Sequence, residues 1–195
     1  LPDAAGAVDA DLIQFRISED LFRRAVKSNF EEFGEPLLLV EAAIYAIPAR
    51  VAVNMGIKLL IQGEAPDYEY GSTKDESLTL LRHYEKISKA VDIDFWLDRG
   101  FSKDEMNSVT WPNIHKLYPI PLSYYDNWNG MYHYDIAKRY GFRDLVHEWK
   151  REYAFENYDQ IDSIGWIVDL WLKYPKFGYG RASDIASRWI RGRQT

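Results

Sequence analysis

Three carboxylates that lie close together in the sequence, Glu64, Asp67 and Glu69, could do chemistry. They follow an apolar, partly β-branched run, residues 57–61, which breaks at Gly63 into a loop. Such a run predicts a buried parallel strand, and ligands of open α/β sheets bind outside the carboxyl ends of the strands. Carboxylate oxygens suit Mg²⁺ and pair with amines, so the loop predicts a metal or substrate-amine site. The alternative is a solvated acidic loop.

A second group precedes a predicted helix near the C-terminus and consists of Gly178, Gly180 and Arg181. Backbone N–H groups at a helix start, together with a guanidinium, can hold a phosphate or a carboxylate. The pattern therefore predicts an anion site. The alternative is a loop in which Arg181 and Asp184 pair with each other across one helical turn.

The third group is a cluster of aromatic, amide and acidic side chains that could bind a substrate. Aromatic rings stack on a sugar or a base while amides hydrogen-bond its hydroxyl groups, although such clusters also serve as packing material. Glu41 is a further substrate-binding candidate, because its predicted helix face points toward the same strand tip as Glu64. The cluster comprises Tyr124, Tyr125, Asp126, Asn127, Trp128 and Asn129.

The first elements that must position these residues read as strand, helix, helix and strand. Alternation predicts a strand over Asp11–Ile17, and Ser18 then caps a helix that Gly34 ends. A second helix is expected over Leu38–Met55, kinked or divided by Pro48. This order favours a parallel sheet with crossover helices, and the strand before Gly63 belongs to it.

The remainder of the chain is predicted to be mainly helical. We divide the chain into residues 1–75, the C-terminal part of a nucleotide-binding α/β core, and residues 76–195, a helical substrate-side region. The predicted elements of this second part are a helix over Glu76–Val91, a capping box at Ser102–Glu105, an extended stretch over Trp111–Pro121, a strand over Leu122–Tyr125, and helices ending at Gly141 and spanning 157–174 and 182–190.

Composition excludes several classes of function. The net charge of −6 disfavours nucleic-acid binding, and the absence of cysteine removes disulfides, thiolate metal sites and cysteine nucleophiles. The longest apolar runs fall short of the roughly 20 residues of a membrane helix, so no span is expected. These features favour a cytoplasmic location.

Several stretches resemble one protein family, the N-acetyl sugar amidotransferases. The loop Gln62-Gly-Glu-Ala-Pro-Asp-Tyr-Glu-Tyr-Gly71 resembles their Gly-Glu-Asn-x-x-x-Glu-Tyr-Gly loop. The segment from Pro121 through Gly141-Phe-Arg-Asp144 resembles their Tyr-x-Asp and Gly-Trp/Phe-Arg-Asp region. Residues 176–184 and 190–195 resemble their C-terminal signature, so the likeness covers most of the chain in order.

The resemblance implies an incomplete doubly wound parallel sheet of the adenine-nucleotide α-hydrolase type, with a mainly helical C-terminal half. It implies an ATP-pyrophosphatase-type enzyme of lipopolysaccharide biosynthesis, which uses ATP and Mg²⁺ to convert an N-acetyl group of a nucleotide-linked sugar to an acetamidino group. A glutaminase subunit supplies the ammonia. Glu64 and Glu69 are then the catalytic residues, with Glu64 on Mg²⁺, and Arg181 binds phosphate.

The chain departs from this family at three places. The family's Ser-Gly-Gly-x-Asp-Ser pyrophosphate loop and its N-terminal cysteine pairs do not occur in the sequence, and Ala65 stands where many members carry asparagine. The resemblance therefore implies that an N-terminal segment is missing or is supplied by a split subunit, and that the chain alone does not turn over ATP. The alternatives are a non-catalytic nucleotide-sugar-binding or assembly module, and an adenylating enzyme of the same core that acts on another acceptor.

Overall fold

A computed structural model describes residues 2–63, 92–112, 117–126, 128–144, 158, 160, 161 and 163–191. The chain forms two compact units, one of residues 16–126 and one of residues 1–15 with 127–195. The described helices and strands, in chain order, are α1 (Pro2–Ala7), α2 (Glu19–Phe33), α3 (Leu38–Asn54), β1 (Leu59–Gln62), α4 (Ile93–Leu97), α5 (Lys103–Met106), β2 (Tyr118–Pro121), α6 (Gly130–Arg139), α7 (Ile164–Phe177) and α8 (Arg181–Arg191).

Helix α2 begins and ends where its local sequence predicts. The Ser18 hydroxyl accepts a hydrogen bond from the Leu21 N–H at 3.5 Å, which satisfies a donor that the first helical turn cannot. Gly34 ends the helix in the left-handed conformation, with φ of 62°. The helix buries Leu21 and Ala25, so its apolar face is directed at the core.

Helix α3 continues through Pro48 without a break, which corrects the predicted division there. A proline inside a helix leaves the carbonyl four residues earlier without its N–H partner. Both Pro48 and Ile44 are exposed, so the carbonyl of Ile44 lies on the solvent side of the helix, where its loss of a partner costs least.

The core of residues 16–126 lies along α3. Small side chains on this helix let its neighbours approach closely, and Trp96, Leu39 and Met106 are fully buried against them. A second cluster at the C-terminal half of α3 holds Leu117, with Leu60 of β1 packed against it. The buried alanines of α3 are Ala42, Ala43, Ala46, Ala49 and Ala52.

Strand β1 pairs in parallel with β2, in a register that runs from Leu59 opposite Tyr118 to Gln62 opposite Pro121. The Tyr118 N–H donates to the Lys58 carbonyl at 2.7 Å. Successive N–H groups of a strand alternate in direction, so the donors that face β1 come from Tyr118 and Ile120. Pro119 and Pro121 occupy the alternate positions, where no donor toward β1 is needed.

Two of the three predicted strands are corrected. Residues 11–17 are irregular, and all but Ile17 are exposed, because among the described residues no strand pairs with them. Residues 122–124 form a 3₁₀ turn, and the strand lies directly before them, inside the stretch predicted as extended connection. The strand before Gly63 is present as β1 and is parallel to its neighbour, but the prediction that it is buried is wrong, since Leu59 and Ile61 are exposed and Leu60 and Gln62 are half-buried.

Helix predictions in the second half are met in part. The capping box at Ser102 is present, with the Ser102 hydroxyl accepting from the Glu105 N–H and the Glu105 carboxylate accepting from the Ser102 N–H. Helix α7 begins at Ile164, seven residues later than predicted, and α8 spans Arg181–Arg191. The predicted helix over 76–91 lies outside the described residues.

Two paired strands do not decide between a small sheet and a doubly wound one. The doubly wound, adenine-nucleotide α-hydrolase-like architecture therefore stays a prediction. The predicted domain boundary at residue 75 also stays a prediction, because it lies outside the described residues. None of the described helices is long and apolar enough to cross a membrane.

Candidate functional site

The densest charge cluster in the described part of residues 127–195 lies where α7 and α8 meet. Lys173 of α7 donates to an Asp184 carboxylate oxygen of α8 at 2.6 Å. Arg181 and Arg188 donate to the same oxygen at 3.2 and 3.5 Å. We call these four residues the cation cluster. Three positive groups therefore converge on one carboxylate oxygen.

Local sequence explains much of this convergence. Arg181 and Arg188 lie three residues before and four residues after Asp184, so all three project from one side of α8. Gly178 ends α7 in the left-handed conformation, with φ of 76° and its N–H bonded to the Tyr174 carbonyl at 2.8 Å. The short turn after Gly178 brings Lys173 back against α8.

The cation cluster is largely withdrawn from water. The exposed fractions of its four side chains lie between 13% and 21%. Burial by itself raises the pKa of Asp184, but the hydrogen bond from Lys173 and the charges of Arg188, Lys173 and Arg181 together hold that pKa below its usual value. The carboxylate is therefore ionised at neutral pH, and the cluster carries a formal charge of +2.

Arg188 has a donor that is not used within the described residues. The Nε of Arg188 is buried and has no hydrogen-bond partner there. A buried guanidinium N–H without an acceptor is unfavourable. An oxygen of a bound anion would supply the missing acceptor.

The predicted phosphate site thus overlaps this cluster only in part. Arg181 pairs with Asp184, as the alternative reading of the motif anticipates. The Gly178 N–H is used to end α7, and the Gly180 carbonyl accepts from the Asp184 N–H at 3.3 Å. A phosphate-binding role for Gly178, Gly180 and Arg181 stays a prediction.

Sequence reasoning missed Lys173 and Arg188. The spacing of Asp184 and Arg188 is a visible signal, since residues four apart share a helix face. Lys173 lies on another helix, and only the turn between α7 and α8 brings it to Asp184.

The predicted aromatic cluster is divided between the two units. Trp128 and Asn129 lie together at the start of α6. The Trp128 ring packs edge-on against the His133 ring, with ring centroids 4.8 Å apart. The Asn129 side chain accepts from the Tyr132 N–H at 3.0 Å and so serves as the cap of α6. In the other unit, Tyr125 and Asp126 are exposed, and Tyr124 belongs to the 3₁₀ turn. Asn127 lies outside the described residues.

A second tyrosine cluster was not predicted as a site. The Tyr134 hydroxyl of α6 donates to the Asp144 carboxylate, and its ring stacks on Tyr158 with centroids 4.4 Å apart. The hydrogen bond to Asp144 raises the pKa of Tyr134 to about 12, so this hydroxyl stays protonated. The arrangement ties α6 to the segment that follows it, which is a structural role.

The predicted acidic loop, with Glu64, Asp67 and Glu69, lies outside the described residues. Glu41 lies half-buried in the first turn of α3. Within the described ranges, no three histidine or acidic side chains come close enough to hold a metal ion. ATP, Mg²⁺, the roles of the three loop carboxylates and the glutaminase partner stay predictions.

Comparison with known proteins gives one partial similarity. No protein-family model matches the chain. The chain is similar to a 2,3-bisphosphoglycerate-dependent phosphoglycerate mutase of Nitrosococcus oceani, with 28% identity over 83 residues. The match covers 43% of this chain and 32% of the mutase, so the chain spans about a third of the length of that relative.

This similarity contradicts the resemblance to the sugar amidotransferases. That assignment is wrong. The matched protein is a phosphoglycerate mutase, not an amidotransferase or an ATP-pyrophosphatase, and its name says nothing of lipopolysaccharide biosynthesis. The short loop and C-terminal motifs are rich in glycine and aromatic residues, which many turns and helix ends share, so they misled the assignment.

Proposed function

We propose that this chain binds a small phosphorylated molecule through Lys173, Arg181 and Arg188. The observation that carries the proposal is the convergence of three cations on the single carboxylate of Asp184. A phosphate carries about two negative charges and several acceptor oxygens, so it would be attracted to the three cations and would accept from Arg188 Nε.

The partial relative supports the same class of ligand. Its name assigns it a phosphoglycerate, which carries both a phosphate and a carboxylate. We propose the ligand class alone for this chain, because the match covers a third of the mutase. A cytoplasmic location is part of the proposal, since phosphorylated metabolites are abundant there.

The test is a calorimetric titration of the chain with 3-phosphoglycerate and with glycerate, which lacks the phosphate. We expect binding of 3-phosphoglycerate to weaken by about tenfold in Arg188→Gln, because one charge-assisted hydrogen bond is lost. Arg139→Gln is the matched control, since Arg139 is an exposed arginine in the last turn of α6. That variant should bind like the wild type.

Two outcomes would overturn the proposal. Glycerate binding as tightly as 3-phosphoglycerate would show that the phosphate is not recognised, and a wild-type chain that binds neither would show that the cluster is structural. Thermal unfolding of Arg188→Gln and of Arg188→Lys, which keeps the charge, separates a lost contact from a lost fold.

A further inference from the structure

Arg50, on α3, has no counter-charge among the described residues. Its Nη2 donates to the Thr110 carbonyl at 2.9 Å, which is a neutral acceptor. Its Nε is buried and has no hydrogen-bond partner. Burial lowers the pKa of Arg50, and no carboxylate in the described ranges offsets that cost. The guanidinium nevertheless stays charged at neutral pH, because the pKa of arginine lies far above it.

The sequence on both sides of Arg50 and of Thr110 contains no acidic residue. Residues 42–63 and 106–125 lack aspartate and glutamate entirely, although the chain has 30 acidic residues. The same two segments contain three basic residues, Arg50, Lys58 and Lys116. A carboxylate for Arg50 is therefore supplied neither by the part of the helix around it nor by the segment to which it donates.

A missing counter-charge of this kind has a physical cost. A charge that is partly withdrawn from water is unfavourable unless a partner of opposite charge forms hydrogen bonds with it. Within the described residues only Nη2 of Arg50 forms a hydrogen bond, and Nη1 is neither bonded nor fully buried, so a solute can reach it. One guanidinium carries one positive charge and therefore matches a carboxylate, whereas a phosphate carries about two negative charges.

The surroundings of Arg50 favour a ligand with an apolar body. Ala49, which precedes Arg50, is buried in a cluster with Leu117. Trp111, which follows Thr110, packs against the same cluster and is half-buried. The guanidinium therefore lies at the edge of an apolar surface, which a ring or an aliphatic chain beside the carboxylate can contact.

We propose that the guanidinium of Arg50 binds the carboxylate of a small monocarboxylic acid that has an apolar body. The ligand supplies the negative charge that residues 42–63 and 106–125 lack. The proposal goes beyond the phosphorylated ligand of the cation cluster and does not depend on it.

The test is thermal unfolding of the full chain over a series of benzoate concentrations, with benzamide as the uncharged analogue. We expect benzoate to raise the midpoint of unfolding and benzamide to leave it unchanged, because a ligand stabilises the chain only if it binds the folded state. Arg50→Gln should weaken benzoate binding about tenfold, since the charge-assisted pair is lost. Arg23→Gln is the matched control, because Arg23 is an exposed arginine on α2, and this change should leave the benzoate effect unaltered.

A second variant keeps the result interpretable if Arg50→Gln does not fold. Arg50→Met retains an unbranched apolar stem and removes the charge, so it should keep the fold and lose the benzoate effect. A wild type that benzoate does not stabilise, equal stabilisation by benzamide, or an unchanged benzoate effect in the Arg50 variants would overturn the proposal. Arg188→Gln should keep the benzoate effect and Arg50→Gln should keep 3-phosphoglycerate binding, so the two proposals fail separately.

Discussion

The core of residues 16–126 and the helix pair α7–α8 distribute polarity in opposite ways. Around α3, alanines, Trp96 and Met106 are inside, and ion pairs such as that between Arg23 and Asp20 lie at the surface. Between α7 and α8, the ion pairs of Asp184 are largely withdrawn from water, while Trp171 and Tyr174 are exposed. The first arrangement is that of an ordinary folding core.

This difference in where polar and apolar side chains lie indicates which region has a composition that stability alone explains. Apolar burial and small-residue packing account for the apolar sequence around α3 without any ligand. Burying several charges around one carboxylate costs desolvation energy that a salt bridge seldom recovers, and exposed large aromatics contribute little to folding. The composition of α7 and α8 is therefore better explained by recognition than by stability.

The largest expected effect follows from substituting one tryptophan in each region. Trp96→Ala should lower the free energy of unfolding by about 3–5 kcal/mol, because the ring is fully buried and its loss leaves a cavity. Trp171→Ala should change it by less than about 0.5 kcal/mol, because that ring is exposed. Urea denaturation of the two variants measures both values. Equal losses would remove the distinction between the regions.

A smaller effect is expected at Asp184. Asp184→Asn should lower the free energy of unfolding at neutral pH by about 1–3 kcal/mol, since charge-assisted hydrogen bonds to three cations are weakened. If the anion proposal holds, a saturating concentration of 3-phosphoglycerate should recover part of this loss. No recovery in a chain that binds the ligand would place its site elsewhere.

The pKa shift of Asp184 determines how the stability difference between wild type and Asp184→Asn depends on pH. The pKa of Asp184 in the folded chain is below its usual 3.8, so its stabilising contribution is complete above that pH and is lost as the pH falls through the folded value. The difference in unfolding free energy between wild type and Asp184→Asn should therefore be constant near neutral pH and shrink as the pH is lowered through 3.8 and below. A difference that grows on acidification would contradict the assignment.

The smallest expected effect tests a local feature of the core region. Ser102→Ala should cost about 1 kcal/mol, because the first turn of α5 loses its capping oxygen. Glu105→Gln should cost less, since glutamine can still accept from the Ser102 N–H and loses only the charge that faces Arg24. The pKa of Glu105 is lowered to about 2, first by its hydrogen bonds to Ser102, so the difference between these variants should depend on pH only below about pH 4.5.

The sequence predicted the elements whose ends are specified locally. Ser18 and Gly34 delimit α2, and Ser102 with Glu105 opens α5, because each of these residues acts on backbone groups a few positions away. It did not predict β2, whose alternating prolines are typical of a connection. A strand at such a place is recognised only from its partner, β1.

In the candidate site, too, the sequence predicted only the residue that a local pattern marks. Arg181 was named because it lies beside glycines at a helix start, a local signal. Lys173 could not be named, because its partner Asp184 lies on the next helix and the angle between two helices is not encoded in spacing. The mistaken family assignment has the same origin, since it too relied on short local motifs.

The alternating prolines of β2 determine which edge of the small sheet can pair with a further strand. On the side of β2 that faces away from β1, Pro119 and Pro121 stand where a neighbouring strand would require donors. A strand added there would find acceptors only, so this edge is chemically closed to extension. Any further strand, from this chain or another, must therefore add beside β1, whose Leu59–Gln62 backbone contains no proline.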